Sequence, residues 1–122
     1  MLDGDAGSLA GVWSHDDAVS TMHPIGGRQA GWDEVRGSFE QVAHVASGGR
    51  AGLLDQSIQV AGDVAWESGV EQGRAGLAGE QVTIDQRVTN IYRREGGRWK
   101  MVHHHTDVSP AMVDIIRRLQ AA

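Results

Sequence analysis

The sequence predicts a single α+β domain in which a curved antiparallel sheet wraps on helices. Three observations predict it. Apolar residues recur at helical spacing from Trp32 to Ala46, through Val35, Phe39 and Val42. From Arg50 to Asp107 the hydrophobic period switches from about 3.6 towards about 2. Glycines fall between these periodic segments, where turns belong. A chain of 122 residues fits one domain over its whole length, 1–122.

The elements follow in order. Residues 5–14 read as a short helix with Leu9, Val12 and Trp13 on one side. Ala18 to His23 reads as a strand, stopped by Pro24 and the Gly26-Gly27 pair. Trp32 to Ala46 is a helix, with Asp33 and Glu34 in the first turn where the dipole favours acids, and Gly48 and Gly49 at its end. Strands are expected at 52–61, 64–73, 81–94 and 98–107, with Gly62-Asp63 and Gly96-Gly97 as turns. Ser109-Pro110 opens a last helix as N-cap and first residue, with Met112, Ile115, Ile116 and Leu119 as its apolar face. Helices grouped on one face of an antiparallel sheet make an α+β fold. A sheet that curls round them leaves a hollow at one end, a usual place for a ligand.

Composition narrows the function. The chain has no cysteine, which excludes disulfides, thiolate metal sites and a cysteine nucleophile. With 11 basic and 16 acidic residues, the net charge of -5 argues against a nucleic-acid partner. No apolar run approaches the roughly 20 residues of a membrane span. The acidic, glycine-rich opening MLDGDAGSLAG lacks the basic and apolar segments of a signal peptide, so a cytoplasmic location is expected, with no membrane contact.

If Gly96-Gly97 is the turn of the last hairpin, Glu95 pairs with Arg98, Ile91 with Val102, Thr89 with His104 and Arg87 with Thr106. Alternation then places Arg87, Thr89, Ile91, Val102, His104 and Thr106 on one face. Val88, Asn90, Tyr92, Trp99, Met101, His103 and His105 take the other. The triple histidine is split. His103 and His105 could share an ion, but two ligands need a third from His15, His23 or His44, so no metal is expected.

Two stretches carry a family resemblance: Gly4-Asp5 through Trp13, His23-Pro24 and Gly31-Trp32 to Phe39, and RVTNIYRREGGRWKMVHHHTD from Arg87 to Asp107. They resemble the SnoaL-like proteins, within the superfamily of nuclear transport factor 2 and ketosteroid isomerase. The second stretch also resembles the association domain of calmodulin-dependent kinase II. The resemblance implies a cystatin-like cone, a homodimer through the sheet, and a pocket between sheet and helices. In the isomerases a general-base aspartate directly precedes a proline on the early strand; here that place holds His23. The place of their protonated aspartate aligns with Thr89, and that of their tyrosine falls ahead of Met1. The resemblance therefore does not imply steroid isomerisation by that mechanism. Its pocket positions fall on Thr89, Val102, His104 and Thr106, the set that hairpin parity selects.

The candidate site follows. His23 titrates near neutrality and can act as acid or base, or stand at the pocket edge bonded to backbone. His104 could pair with it or bind ligand. Arg87 could hold a ligand carboxylate in bidentate fashion, or pair with Asp85 or Glu67. Thr89 and Thr106 would orient, and Trp13 and Trp32 would form walls. Two functions stay open. One is a cofactor-independent enzyme of isomerase, cyclase or lyase type acting on a small organic molecule such as a carboxylate. The other is a non-catalytic association module.

Overall fold

The computed structural model describes residues 11–121. Its elements are β1 (Ser20–His23), β2 (Gly26–Ala30), α1 (Trp32–Val45), β3 (Ala46–Ala61), β4 (Val64–Leu77), β5 (Glu80–Glu95), β6 (Arg98–Thr106) and α2 (Pro110–Ala121). The strands form one curved six-stranded sheet in the order β2-β1-β6-β5-β4-β3. All neighbours are antiparallel except β1 and β6, which run parallel. This is the expected α+β architecture. The helix expected at 5–14 lies mostly outside the described residues; within them, Trp13 makes a bridge to Met101 rather than a helical turn.

Three boundaries differ from the sequence reading. Gly26-Gly27 does not simply stop β1: it starts β2, a short return strand. Gly48 and Gly49 do not end α1, because Ala46 is already extended and both glycines lie in β3. Gly49 and Gly73 lie where β3 and β4 approach so closely that a Cβ on either would collide with the opposite backbone. The β4–β5 turn is Ala78-Gly79, with positive φ at both residues as in the Gly96-Gly97 turn.

α1 has no side-chain cap at Gly31. Asp33 and Glu34 favour its start through the helix dipole, and Glu34 accepts the Ala30 N–H at 3.3 Å. Its Val35 and Phe39 are buried with Trp13 and Val19, and Met101 and Val102 pack against them. Burial of side chains of this size stabilises by about 1.5–3 kcal/mol each. A second cluster joins Ala75, Leu77, Val82 and Ile84 to Met112 and Ile115 of α2. Ser109 Oγ accepts the Met112 N–H as the expected cap, and the Ser109 N–H donates to the Pro24 carbonyl. That last bond ties the start of α2 to the residue after His23. No helix among the described residues is long and apolar enough to cross a membrane.

Candidate functional site

A cavity of about 100 Å³ lies against the second core cluster, walled by its Ala75, Leu77, Val82, Ile84 and Met112. His23, Glu71, Gln86 and His104 are its polar lining, set among Val42, Leu77, Val82, Ile84 and Met112. Its position follows from β5. Val82, Ile84 and Val88 are buried on the inner face, so Gln86 and Asn90, at the same parity, are buried with them. Glu71 of β4 lies opposite Gln86, and His104 of β6 lies opposite Asn90.

His23 is only 2% exposed, with its ring edge-on to Phe39 at 4.6 Å. Its Nε2 lies 2.8 Å from Ser38 Oγ, and the Ser38 hydroxyl donates to the Val35 carbonyl at 2.7 Å. Ser38 has one proton and has spent it, so His23 Nε2–H must be the donor in the neutral ring. Nδ1 then carries a lone pair, and this buried atom has no partner. Burial pushes the His23 imidazole down to about 4.

His104 is fixed from the other side. Its Nδ1 lies 2.6 Å from Asn90 Oδ1, while Asn90 Nδ2 donates to Glu67 at 3.0 Å. The Glu67 carboxylate can only accept, which orients the amide and makes His104 Nδ1–H the donor. His104 Nε2 is therefore also unprotonated. Burial, reinforced by His23, His103 and His105, pushes this ring down to about 4. Burial raises the Glu67 carboxyl, but donors from Asn90, Gln56 and Tyr92 outweigh it and hold the group below its ordinary value. Burial also pushes the Glu71 carboxyl up, against a hydrogen bond from Gln86. The cavity wall thus carries two imidazoles that burial keeps neutral and a carboxyl that burial pushes up.

The expected site is only partly assembled. His23 and His104 meet at one cavity. Thr106 is buried on the same face but bonds weakly to the Met22 carbonyl at 3.5 Å, and it is not part of the lining. Arg87 and Thr89 are exposed on the opposite face. Arg87 there holds Asp107 through two side-chain bonds, at 2.9 and 3.0 Å, and so cannot serve the cavity. The cause is a bulge. Ile91 pairs with His103 but Tyr92 pairs with Met101, leaving Val102 as an extra residue in β6. Hairpin parity is inverted beyond it. The split of His104 from His103 and His105 survives, and His104 keeps its place on the cavity face; it is Arg87, Thr89 and Ile91 of β5 that change face, leaving Val88 and Asn90 beside His104 and Thr106. Val102 packs on the α1 cluster instead of lining the cavity. Trp13 is core, 5.8 Å from Phe39, and Trp32 stacks on His15 at 4.2 Å; neither is a cavity wall. Among the described residues no group of three or more potential ligands could hold a metal.

Sequence reasoning missed Glu71, Gln86, Asn90 and Glu67. The signal for two of them was present: Gln86 and Asn90 interrupt the apolar alternation Val82, Ile84, Val88.

A family model described as a SnoaL-like domain matches residues 1–112. Among curated proteins, the F-box protein SKIP8 of Arabidopsis thaliana is 27% identical over 101 residues, covering 83% of this chain and 41% of that protein. The chain thus spans well under half the length of that relative. Among solved structures, a proposed dehydratase of the nuclear transport factor 2-like family from Streptomyces avermitilis is 27% identical, with a TM-score of 0.77 over 87% of this chain and 83% of that one. A proposed calcium/calmodulin-dependent kinase II association domain from Thiobacillus denitrificans is 23% identical, with a TM-score of 0.72 over 87% and 83%. A nuclear transport factor 2-like protein from Salmonella enterica is 18% identical, with a TM-score of 0.75 over 86% and 78%. The last two share the fold.

Proposed function

The chain belongs to the SnoaL-like domain family, and from that premise we propose that its cavity binds a small organic molecule on which His23 acts as proton acceptor, without a cofactor. The reaction is of isomerase, cyclase or lyase type. One observation carries this reading: the bare Nδ1 of His23, buried and without partner, belongs to a ring in the wall of a cavity that also holds His104 and Glu71. An orphaned buried acceptor costs about 1–3 kcal/mol, so its retention favours a ligand that supplies the missing proton.

The chemistry follows from the protonation states. Nδ1 takes a proton from a carbon beside a carbonyl, and the electron pair moves to the carbonyl oxygen. The Glu71 carboxyl, kept protonated more readily by burial, donates to that oxygen. The enol then collapses. In an isomerisation the His23 imidazolium returns its proton to another carbon. In an elimination that proton leaves with a β-hydroxyl as water. His104 accepts a ligand hydroxyl through Nε2. The likeness to the Streptomyces avermitilis protein favours the elimination branch.

All branches share the first step, so deuterium uptake from deuterium oxide at the carbon beside the carbonyl tests them together. Small hydroxy ketones should exchange faster with the protein than without it. His23→Gln should lose the enhancement by roughly a hundredfold or more. No enhancement across the panel, or full exchange in His23→Gln, contradicts the role given to His23.

A second reading concerns assembly, and a specific feature favours it. Trp66 and Leu54 are 43% and 48% exposed on the outer face of the sheet, the face that also carries Val70 and Ile91. Covering them with the same face of a second copy would remove this apolar surface from water. Light scattering should give the mass of a dimer, and Trp66→Glu should give that of a monomer. A monomeric wild type overturns this reading.

A further inference from the structure

The polar complement of the cavity wall is one-sided. His23 Nδ1 and Gln86 Oε1 are buried acceptors without a partner. His104 Nε2 is a third acceptor, because Asn90 fixes the proton on Nδ1. Glu71, once protonated, can donate as well as accept, and the Gln86 amide, which donates one N–H to Glu71, has a second N–H. Among the described residues no arginine or lysine lines the cavity. A second groove, lined by Ile25, Val42, Val45, Leu77, Ile116 and Leu119 among others, shares Ile25, Val42 and Leu77 with the cavity and runs along α2.

We infer that the occupant is an uncharged molecule carrying hydroxyl donors beside a carbonyl, with an apolar portion directed to the groove along α2, and that the site discriminates against carboxylates. This rests on the reading of the cavity as a small-molecule site. Hydroxyls supply protons to the three waiting acceptors, and a ligand carbonyl accepts from Glu71. A carboxylate supplies no proton, adds lone pairs to a wall already rich in them, and must bury its charge beside Glu71 with no cation to meet it. An ammonium would donate, but it needs Glu71 ionised inside an aliphatic wall, which burial opposes.

Three probes of closely similar size separate these cases: phenacyl alcohol, phenylacetate and phenethylamine. Their binding is followed by NMR through the side-chain signals of His23 and His104 in the wild-type protein. Phenacyl alcohol should bind tightest and shift both histidines, with phenylacetate and phenethylamine at least tenfold weaker. In Glu71→Gln the handicap of phenylacetate should shrink while phenacyl alcohol still binds. If phenylacetate or phenethylamine binds as tightly as phenacyl alcohol, the inferred ligand class is wrong and the small-molecule site stands. If no probe shifts either histidine, the inference and the site fall together. Binding in this order without deuterium exchange upholds the ligand class and removes only the catalytic role.

Discussion

On its inner face β5 buries Gln86 and Asn90 among Val82, Ile84 and Val88; on its outer face it leaves Arg87 and Thr89 in water. Both faces carry hydrogen-bonding chemistry, but solvent makes it unequal. The outer Arg87–Asp107 pair has nearly ideal geometry, holds the Asp107 carboxyl down to about 2, and sits in a medium that would satisfy either partner anyway. The inner Gln86 and Asn90 are buried from bulk solvent. Each bond there holds a ring or an amide in one orientation. The candidate site lies on the face where polar groups have no alternative partner.

Acid should expose this difference most strongly. The His23 imidazole falls from 6.5 to about 4 on folding, so the unfolded chain takes up the proton first as pH drops. The stability contributed by neutral His23 is complete above about 6.5 and is lost as pH falls towards 4. The linkage amounts to about 3 kcal/mol for this group, and His104 adds in the same direction. Urea midpoints measured across that window should fall steeply, and His23→Gln should flatten the slope. A stability flat between these limits would mean that the rings are not shielded.

A smaller effect is expected one step behind the cavity. Asn90→Leu keeps the inner parity of β5 but removes the acceptor of His104 Nδ1–H and a donor to Glu67. The buried imidazole N–H left without a partner should cost about 1–3 kcal/mol in urea unfolding, and His104 should become a mixture of tautomers. An unchanged midpoint with a single tautomer would show that Asn90 does not position the ring. The smallest effect belongs to the outer face. Arg87→Ala should leave the unfolding midpoint near that of the wild type and the binding of phenacyl alcohol unaltered. A marked loss of binding would put Arg87 back in the site.

The fold was largely legible because it depends on periodicity. The helical spacing from Trp32 and the alternation after Arg50 are repeated signals, and Gly96-Gly97 marked its turn correctly. The site was legible only at His23 and His104, since it depends on parity, and one residue can reverse parity. Val102 is that residue. Nothing in Met101-Val102-His103 announces a bulge; it occurs where the edge partner of β6 changes from residues 12–14 to β1. The apolar positions Val82, Ile84 and Val88 held the better information, because burial binds the strand to the core directly, whereas hairpin register assumes an unbroken ladder. Glu71 was hidden for another reason. A glutamate in a glycine-rich strand reads as solvent-facing until the fold places Gln86 and His104 near it.

The central claim is that both inner histidines are neutral, with opposite tautomers fixed by Ser38 and Asn90. Long-range proton–nitrogen NMR correlations of the histidine rings at neutral pH test it directly. His23 should carry its proton on Nε2 and His104 on Nδ1, with neither ring titrating until well below 6.5. An imidazolium at either position at neutral pH, or a proton on His23 Nδ1, would contradict it.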